Sequence, residues 1–364
     1  MKKNTWFLFI TSMVFLMVIL SGCDAIFSPT IYESIPTKVK YDISYGYLVN
    51  CSGTGRYKIT YRCNVPEVLV GNTSYQLLYN NFYQTITIGD NTFIQWDISE
   101  TDEQMYKLGL SAQVESESYL YVDLKGENAL TVEAISQKHS KVVNQYTQLQ
   151  ANETTRFIDP YDPNITAIAE TIQSTSETNN SFLLAKAIFV WLKENIQYQT
   201  HLNSEGLQPA AVTLSNKVGD CDDLSFLYIS LCRALNIPMR FIRGYLLTSY
   251  DNGTAIATPH AWVEVFVGGL VSYNGWIPVE CACCTTSIES DINQNFGVET
   301  AFHLRFFVDD GSNESLASLL SSLSYITYGL SRTIETESFV EIHNYQELES
   351  KKLVISRENT RYYE

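Results

Sequence analysis

The chain has 364 residues, of which 45% are hydrophobic, and it carries a formal net charge of -16 with an isoelectric point near 4.8. This length and apolar content allow a substantial buried core and favour two domains over one. The charge excludes a nucleic-acid-binding role, because a protein that neutralises phosphates needs an excess of Lys and Arg. Acidic residues instead outnumber basic residues by 40 to 24.

The N-terminus resembles a bacterial or archaeal lipoprotein signal. Two lysines precede an apolar run, residues 6–20, and small residues then lead to Cys23. The run is shorter than the roughly 20 residues that a membrane-spanning helix needs, so residues 1–22 are predicted to be a cleaved signal peptide. Cys23 is the expected lipidation site, and residues 23–37 are the expected tether. An uncleaved anchor is the alternative, and both interpretations place the rest of the chain outside the cytoplasm.

Glycan acceptors are also expected in an exported chain, because the sequence contains seven Asn-x-Ser/Thr motifs. These motifs begin at Asn50, Asn72, Asn152, Asn164, Asn179, Asn252 and Asn313.

The cysteine count agrees with export. With Cys23 reserved for the lipid, seven of the eight cysteines remain, and an odd number leaves at least one free thiol. Cys51 and Cys63 lie in the same strand-rich region and are a candidate disulfide pair. Sequence alone does not fix the connectivity.

Residues 38–155 have the pattern of an all-β, sandwich-like domain. Strand-like alternation occurs at residues 57–61, 85–88 and 119–124, and clusters of Gly, Asn and Asp separate these segments. Several short strands in succession favour an antiparallel sandwich over a βαβ arrangement.

The pattern changes to helical after a segment with two prolines, residues 159–163. Apolar residues at helical spacing begin at Ile165, and a second helix is predicted over residues 181–197. We therefore place the domain boundary near residue 155 and a second domain at residues 156–310.

Residues 219–223, Gly-Asp-Cys-Asp-Asp, open a helix whose apolar residues repeat at helical spacing over residues 224–235. Asp220 is the expected N-cap, so Cys221 lies in the first turn, where the helix dipole favours a nucleophilic thiolate. The two aspartates that follow it oppose ionisation, so a cationic partner is needed. The structural alternative is a buried helix cysteine, which describes Cys232 better.

His260 is the expected partner of Cys221. It begins an apolar run, residues 260–267, and we expect it at the entrance of a strand. It would act as a general base and then as an acid, or as an imidazolium in an ion pair with the thiolate. Glu280 ends the following strand-like segment, residues 275–280, and is expected to orient the imidazole.

These residues resemble the transglutaminase-like superfamily, in which a Gly-x-Cys-x-Asp helix start, a His-x-Trp-x-Glu-Val strand and a Trp-x-x-x-Asp strand occur in this order. The matching segments are residues 219–223, 260–265 and 276–280, and the resemblance extends over about residues 165–310. It implies an α+β fold with a papain-like core, in which the helix bearing the cysteine packs on an antiparallel sheet. The departure from the family pattern is Glu280, where the family usually has Asp.

Three further features lie outside this pattern. Residues 281–284, Cys-Ala-Cys-Cys, contain a Cys-x-x-Cys spacing, but a structural zinc site usually needs a second such pair, so disulfides or packed thiols are expected there. His303 is expected to be structural, although it lies beside the last strand of the core. Residues 311–364 are predicted to form a helix, residues 314–330, followed by strands.

The resemblance implies a cysteine hydrolase, a peptidase or amidase, which forms a thioester on protein or cell-envelope amide bonds, and the N-terminal signal places it outside the cytoplasm. Cys221, His260 and Glu280 would be its catalytic residues, and the mechanism requires no metal or cofactor. An amine acceptor would instead make the protein a cross-linking transglutaminase. A surface binding or scaffold protein that retains the fold without catalysis is the third hypothesis. The expected partners are a peptide-containing envelope substrate and, through the lipid, the membrane.

Overall fold

The computed structural model describes residues 29–200, 207–250, 252–271, 273–313, 322–329 and 331–364. The predicted signal peptide, residues 1–22, and the predicted lipidation site, Cys23, lie outside the described residues. Within the described part of the chain, none of the helices has the length and the apolar character that crossing a membrane requires.

Strands dominate the described structure. They are, in chain order, β1 Thr30–Ser52, β2 Arg56–Asn64, β3 Gly71–Leu77, β4 Tyr83–Ile88, β5 Asn91–Glu100, β6 Gln104–Glu117, β7 Tyr119–Leu120, β8 Gln150–Ala151, β9 Arg156–Ile158, β10 Gln197–Tyr198, β11 Val218–Gly219, β12 Met239–Ser249, β13 Ala255–Phe266, β14 Trp276–Val279, β15 Val298–Glu299, β16 His303–Val308, β17 Ser322–Tyr328, β18 Thr333–Ile355 and β19 Arg361–Tyr363.

Helices lie between these strands in the middle of the chain. They are α1 Val132–Lys138, α2 Ser140–Tyr146, α3 Pro163–Ser176, α4 Ser181–Asn195, α5 Ala210–Asn216, α6 Cys221–Ala234 and α7 Ile288–Asn295, with a 3-10 turn at Tyr273–Gly275. The mixture of helices with antiparallel sheets confirms the predicted α+β class.

Two sheets form a β-sandwich. One sheet has the order β19-β18-β1-β6-β3, and the other has the order β17-β2-β5-β4. Alternate side chains of β2 are buried, as expected for a strand with one face on a core. In that core Tyr61 stacks on Trp96, with ring centroids 5.5 Å apart. Leu247 and Leu304, from β12 and β16, belong to the same core.

The C-terminal segment belongs to this sandwich. Strand β18 pairs with β1 along most of its length, and β17 pairs with β2. The helix predicted over residues 314–330 is therefore wrong at residues 322–328, which are a strand rich in β-branched and aromatic side chains. Residues 314–321 lie outside the described residues. Strand β1 begins at Thr30, so the last residues of the predicted tether are also paired in the sheet.

The predicted disulfide between Cys51 and Cys63 is wrong, because both residues are buried free thiols. Cys51 is the next-to-last residue of β1 and lies close to the side chain of Tyr57, near the start of β2. Cys63 lies six residues further along β2, which corresponds to about 20 Å at the usual rise of a strand. A disulfide needs Cα atoms within roughly 7 Å of each other, so the two thiols are too far apart.

The helices of the predicted second domain, residues 156–310, pack against a four-stranded antiparallel sheet of order β14-β13-β12-β16. Helix α6 lies at the centre of these helices and contacts β12 and β13 on one side and α3, α4 and α5 on the other. Its apolar residues from Leu224 to Leu235 are buried, as the helical spacing predicts. The helix predicted over residues 181–197 is α4, which ends at Asn195.

Arg361 connects the end of the chain to the second domain. It lies in β19, is 1% exposed, and donates hydrogen bonds to the backbone carbonyls of Tyr121, Ile292, Asn293 and Phe296. The last three carbonyls belong to α7 and its C-cap. The C-terminal strand therefore holds a helix of the second domain in place.

Replacing Arg361 with Met should lower the free energy of unfolding by about 2 to 4 kcal/mol, because several buried carbonyls lose their donor. Urea denaturation of the folded chain, followed by circular dichroism, measures this change. The matched control is R357M, since Arg357 is exposed in the turn before β19. Equal stability of the two variants would contradict the structural role given to Arg361.

Candidate active site

Cys221 is the first residue of α6, where the sequence predicts it. Asp220 is the N-cap, and its carboxylate accepts hydrogen bonds from the backbone N–H groups of Asp222 and Asp223. The Asp223 carboxylate accepts in return from the N–H of Asp220, at 3.1 Å. This reciprocal capping box fixes the first turn, so the thiol of Cys221 has a defined direction. Cys221 is half-buried.

The aspartates beside Cys221 have partners of their own. Asp222 forms an ion pair with Arg243 of β12, with 2.9 Å between Oδ1 and Nη2. Burial raises the pKa of the Asp222 carboxyl, and Arg243 opposes that shift. Asp223 is fully buried and accepts from the N–H of Gln208 as well as that of Asp220. The expected repulsion between Asp222 and a thiolate is therefore partly neutralised by Arg243.

His260 projects from β13 toward the start of α6. Its ring is close enough to Cys221 for the thiol to raise its pKa, and its Nε2 lies 2.7 Å from Oε2 of Glu280. Because Nε2 faces Glu280, Nδ1 is the ring nitrogen that remains for the thiol. The structure thus brings the three predicted residues together, with His260 hydrogen-bonded to Glu280 and beside Cys221.

The position of His260 within its strand differs from the expectation. Strand β13 begins at Ala255, so His260 lies inside the strand and not at its entrance. Pro259 precedes it, and proline is tolerated only where a strand lacks a ladder partner on one side. That condition is met, because β14 pairs with β13 only from Val263 onward. The open edge leaves space for the His260 ring to meet α6.

Glu280 follows β14 and is 3% exposed. Its Oε2 accepts hydrogen bonds from His260 and, at 3.2 Å, from Nε2 of His303. Its Oε1 accepts from the backbone N–H groups of Ala282 and Cys283, at 2.7 and 3.3 Å. Burial alone would raise the pKa of this carboxyl, but the two histidines outweigh burial and hold the pKa well below its usual value. Glu280 is therefore ionised at neutral pH.

The carboxylate changes the protonation of His260. Burial alone would lower the pKa of this imidazole, but the Glu280 charge and the neighbouring Cys221 outweigh it and raise the pKa from 6.5 to about 10. At neutral pH the ring is an imidazolium, which is the cationic partner that the sequence requires for a thiolate at Cys221.

Cys221 and His260 open onto a cleft of about 590 Å³. Other lining residues are Tyr198, Leu246, Thr258, Cys283 and Cys284. Burial and the nearby Cys221 raise the pKa of Tyr198 to about 12, so its hydroxyl stays protonated and can donate to a ligand. The cleft gives a substrate access to the thiol.

The Cys281–Cys284 segment, which the sequence pattern leaves unexplained, forms the turn that holds Glu280. Its cysteines are free thiols. Lys193 of α4 donates to the carbonyls of Cys281 and Cys283, and Asn295 of α7 also donates to the latter. Sequence reasoning missed Lys193, because a lysine near a helix C-terminus is usually a solvent-exposed residue.

His303 is also part of the site, through its contact with Glu280. The potential metal-ligand atoms of His260, Glu280 and His303 lie within 4.8 Å of one another. Two imidazoles and a carboxylate are a set of ligands that could hold a metal ion. In the described structure the two imidazoles instead hydrogen-bond the carboxylate directly. The one sequence feature that indicated a role for His303 in the site was its position beside the last strand of the core.

The central part of this chain is similar to known proteins. Residues 166–281 match the family model described as the Transglutaminase-like superfamily. An uncharacterized protein of Mycobacterium leprae (strain TN) is 26% identical over 127 residues, which are 33% of this chain and 43% of that protein. The chain thus matches less than half the length of this relative.

Two similar solved structures come from other bacteria. A candidate cysteine protease from Cytophaga hutchinsonii has a TM-score of 0.44 and 13% identity, over 85% of this chain and 93% of its own. The periplasmic domain of TgpA from Pseudomonas aeruginosa has a TM-score of 0.33 and 12% identity, over 63% of this chain and 88% of its own.

The matched segment contains the helix of Cys221, the strand of His260 and the carboxylate of Glu280. Residues 166–281 are therefore a transglutaminase-like superfamily domain, as the order of the three motifs predicts.

Replacing Glu280 with Gln should lower the pKa of His260 from about 10, because burial is then opposed only by the neighbouring Cys221 and no longer by the Glu280 charge. Nitrogen NMR of the imidazole rings in the full chain measures the midpoint. H343Q, at an exposed position of β18, is the control and should leave the midpoint unchanged. A midpoint near 6.5 in the unaltered protein would contradict the ion pair.

The same shift makes stability depend on pH. Since the pKa of His260 is higher in the folded chain than in the unfolded chain, the stabilisation is complete below about pH 6.5 and is lost as the pH rises through about 10. Urea unfolding at pH 6.5 and at pH 10 should therefore show a smaller difference for E280Q than for the unaltered protein.

Proposed function

We propose that this protein is an extracytoplasmic transglutaminase-like cysteine hydrolase, a peptidase or amidase, which acts on protein or cell-envelope amide bonds. The observation that carries the proposal is the hydrogen bond between His260 and Glu280 beside Cys221, at the wall of an open cleft. Its catalytic residues are Cys221 as nucleophile, His260 as acid and base, and Glu280 as the group that orients His260.

Acylation begins with the thiolate of Cys221 and the imidazolium of His260. The sulfur attacks the amide carbonyl carbon, and the carbonyl electron pair moves onto oxygen. The N–H of the first helical residue has no acceptor within its own helix, so the backbone of Cys221 is a donor for this oxyanion. His260 then gives its proton to the leaving amine, the C–N bond breaks, and a thioester remains.

Deacylation reverses these roles. Neutral His260 takes a proton from water, the resulting hydroxide attacks the thioester, and the acid product leaves as the Cys221 thiolate and the His260 imidazolium form again. A primary amine in place of water would give a new amide, which is the cross-linking reaction of a transglutaminase. Both reactions use the same three residues.

Export is supported by the sequence at the N-terminus. The lysines, the short apolar run and Cys23 fit a lipoprotein signal. In this proposal Cys23 carries the lipid and the rest of the chain works at the cell surface, attached to the membrane.

The first test is the reactivity of Cys221 with iodoacetamide between pH 5 and 10, measured by mass spectrometry of the tryptic peptide 218–233. We expect rapid alkylation well below pH 8, because the positively charged imidazolium of His260 stabilises the thiolate. H260A should react only as the pH approaches the ordinary thiol pKa of about 8.5. Cys232 in the same peptide is fully buried and serves as an internal control.

Reaction of unaltered Cys221 only near the ordinary thiol pKa would reject the enzyme hypothesis. It would favour the third hypothesis, a binding or scaffold protein that retains the fold.

The second test separates hydrolysis from transamidation. A denatured protein substrate is incubated with the enzyme and a fluorescent primary amine, and gel electrophoresis follows fragments and fluorescence. We expect fragments or released amino groups without incorporation of the amine. C221S should abolish the reaction, whereas H343Q should retain it. Fluorescent, uncleaved substrate would instead identify a cross-linking enzyme.

A further inference from the structure

A second histidine contacts the carboxylate that orients His260. His303 is the first residue of β16 and is 4% exposed. Its Nε2 lies 3.2 Å from Oε2 of Glu280, the same oxygen that His260 contacts, and its Nδ1 lies 2.9 Å from the hydroxyl of Thr300. His303 does not belong to the three-part motif, and it lies beyond the residues that match the family model.

The hydrogen bonds of His303 define its tautomer. An ionised carboxylate only accepts hydrogen bonds, so the Nε2 of His303 must carry a proton. In the neutral ring Nδ1 is then an acceptor, and the Thr300 hydroxyl donates to it. The imidazole is thus held between a donor and an acceptor, with its N–H directed at Glu280.

The ring plane of His303 is also fixed by packing. Trp262 lies edge-on to it, with ring centroids 4.8 Å apart. The indole N–H of Trp262 donates to Glu299, at 2.8 Å, and Arg305 forms a buried ion pair with the same carboxylate. His303 therefore packs against Trp262, whose own position is fixed by a buried hydrogen bond and ion pair at Glu299.

Glu280 needs more support than an aspartate would. Its side chain has one additional rotatable bond, so its carboxylate can occupy more positions. The backbone N–H groups of Ala282 and Cys283 hold Oε1, but they leave Oε2 free to move about that anchor. His303 supplies the donor that fixes Oε2 against His260.

We propose that His303 is a positioning residue of the active site, which holds the Glu280 carboxylate where it orients His260 and so allows glutamate to replace the usual aspartate. This inference rests on the proposed function, because the orientation matters only if Cys221 acts as a nucleophile. His303 itself does not contact the reacting atoms.

The test uses five variants of the full chain and one matched control. H303F keeps an aromatic ring but removes the donor, H303Q keeps an N–H donor near the position of Nε2, and T300V removes the hydroxyl that fixes the tautomer. E280Q combined with H303F completes a double-mutant cycle with the two single variants. H343Q is the matched control. Thermal unfolding shows which variants remain folded.

Two quantities are measured: the alkylation rate of Cys221 at pH 6.5 and the downfield NMR signal of the His260 Nε2–H proton. H303F should slow alkylation by about tenfold, the size of one hydrogen bond to a charged group, and should abolish the protected proton signal. H303Q should have the alkylation rate and the proton signal of the unaltered protein. T300V should lower both the rate and the signal, but less than H303F does. H303F should add nothing to the loss caused by E280Q.

Additive effects of E280Q and H303F, or an unchanged proton signal in H303F, would overturn the positioning role even if Cys221 is reactive. If H303F does not fold, T300V decides the question. An unchanged proton signal in T300V, compared with a loss of the signal in E280Q, would overturn the positioning role and leave His303 with a structural role only. Failure of the proposed function gives a different result: Cys221 then reacts as an ordinary thiol, while the His260 signal continues to depend on residue 303.

Discussion

The structure of the site depends on one buried carboxylate. An ionised group that leaves water is strongly destabilised unless hydrogen bonds and opposite charge replace its hydration. Glu280 has four such donors, two imidazoles on Oε2 and two backbone N–H groups on Oε1. Removing one partner leaves the carboxylate underpaired, so the positions of His260, His303 and the turn after β14 are linked through this single group.

That linkage extends from the site to the end of the chain. The turn that surrounds Glu280 is held by Lys193 of α4 and by Asn295 of α7. Helix α7 is held in turn by Arg361 of β19, and β19 pairs with the long strand β18 of the sandwich. The sandwich is therefore physically connected to the active site, and its C-terminal strands contribute to the site without lining the cleft.

The sequence predicted the parts of this arrangement that depend on local pattern. The capped start of α6 and the strand with His260 are each visible within ten residues, and the three short motifs follow one another in order within residues 219–280. His303 and Lys193 were not predicted as site residues, since they reach Glu280 and its turn only through packing between elements 23 and 88 residues apart. Strand β17 was missed for the same reason, because its pairing with β2 lies about 260 residues back in the chain.

The composition of the site bears on the choice between an enzyme and a scaffold. Replacing a buried ionic group by apolar residues of similar volume is often neutral or stabilising, so a fold that served only as a scaffold would gain little from this cluster. Here the cluster ends at a half-buried thiol on a cleft, and it holds a histidine charged at neutral pH. Perturbed pKa values of this kind concentrate where catalysis uses them. The cost of burying Glu280 is thus explained more simply by catalysis at Cys221 than by stability of the fold.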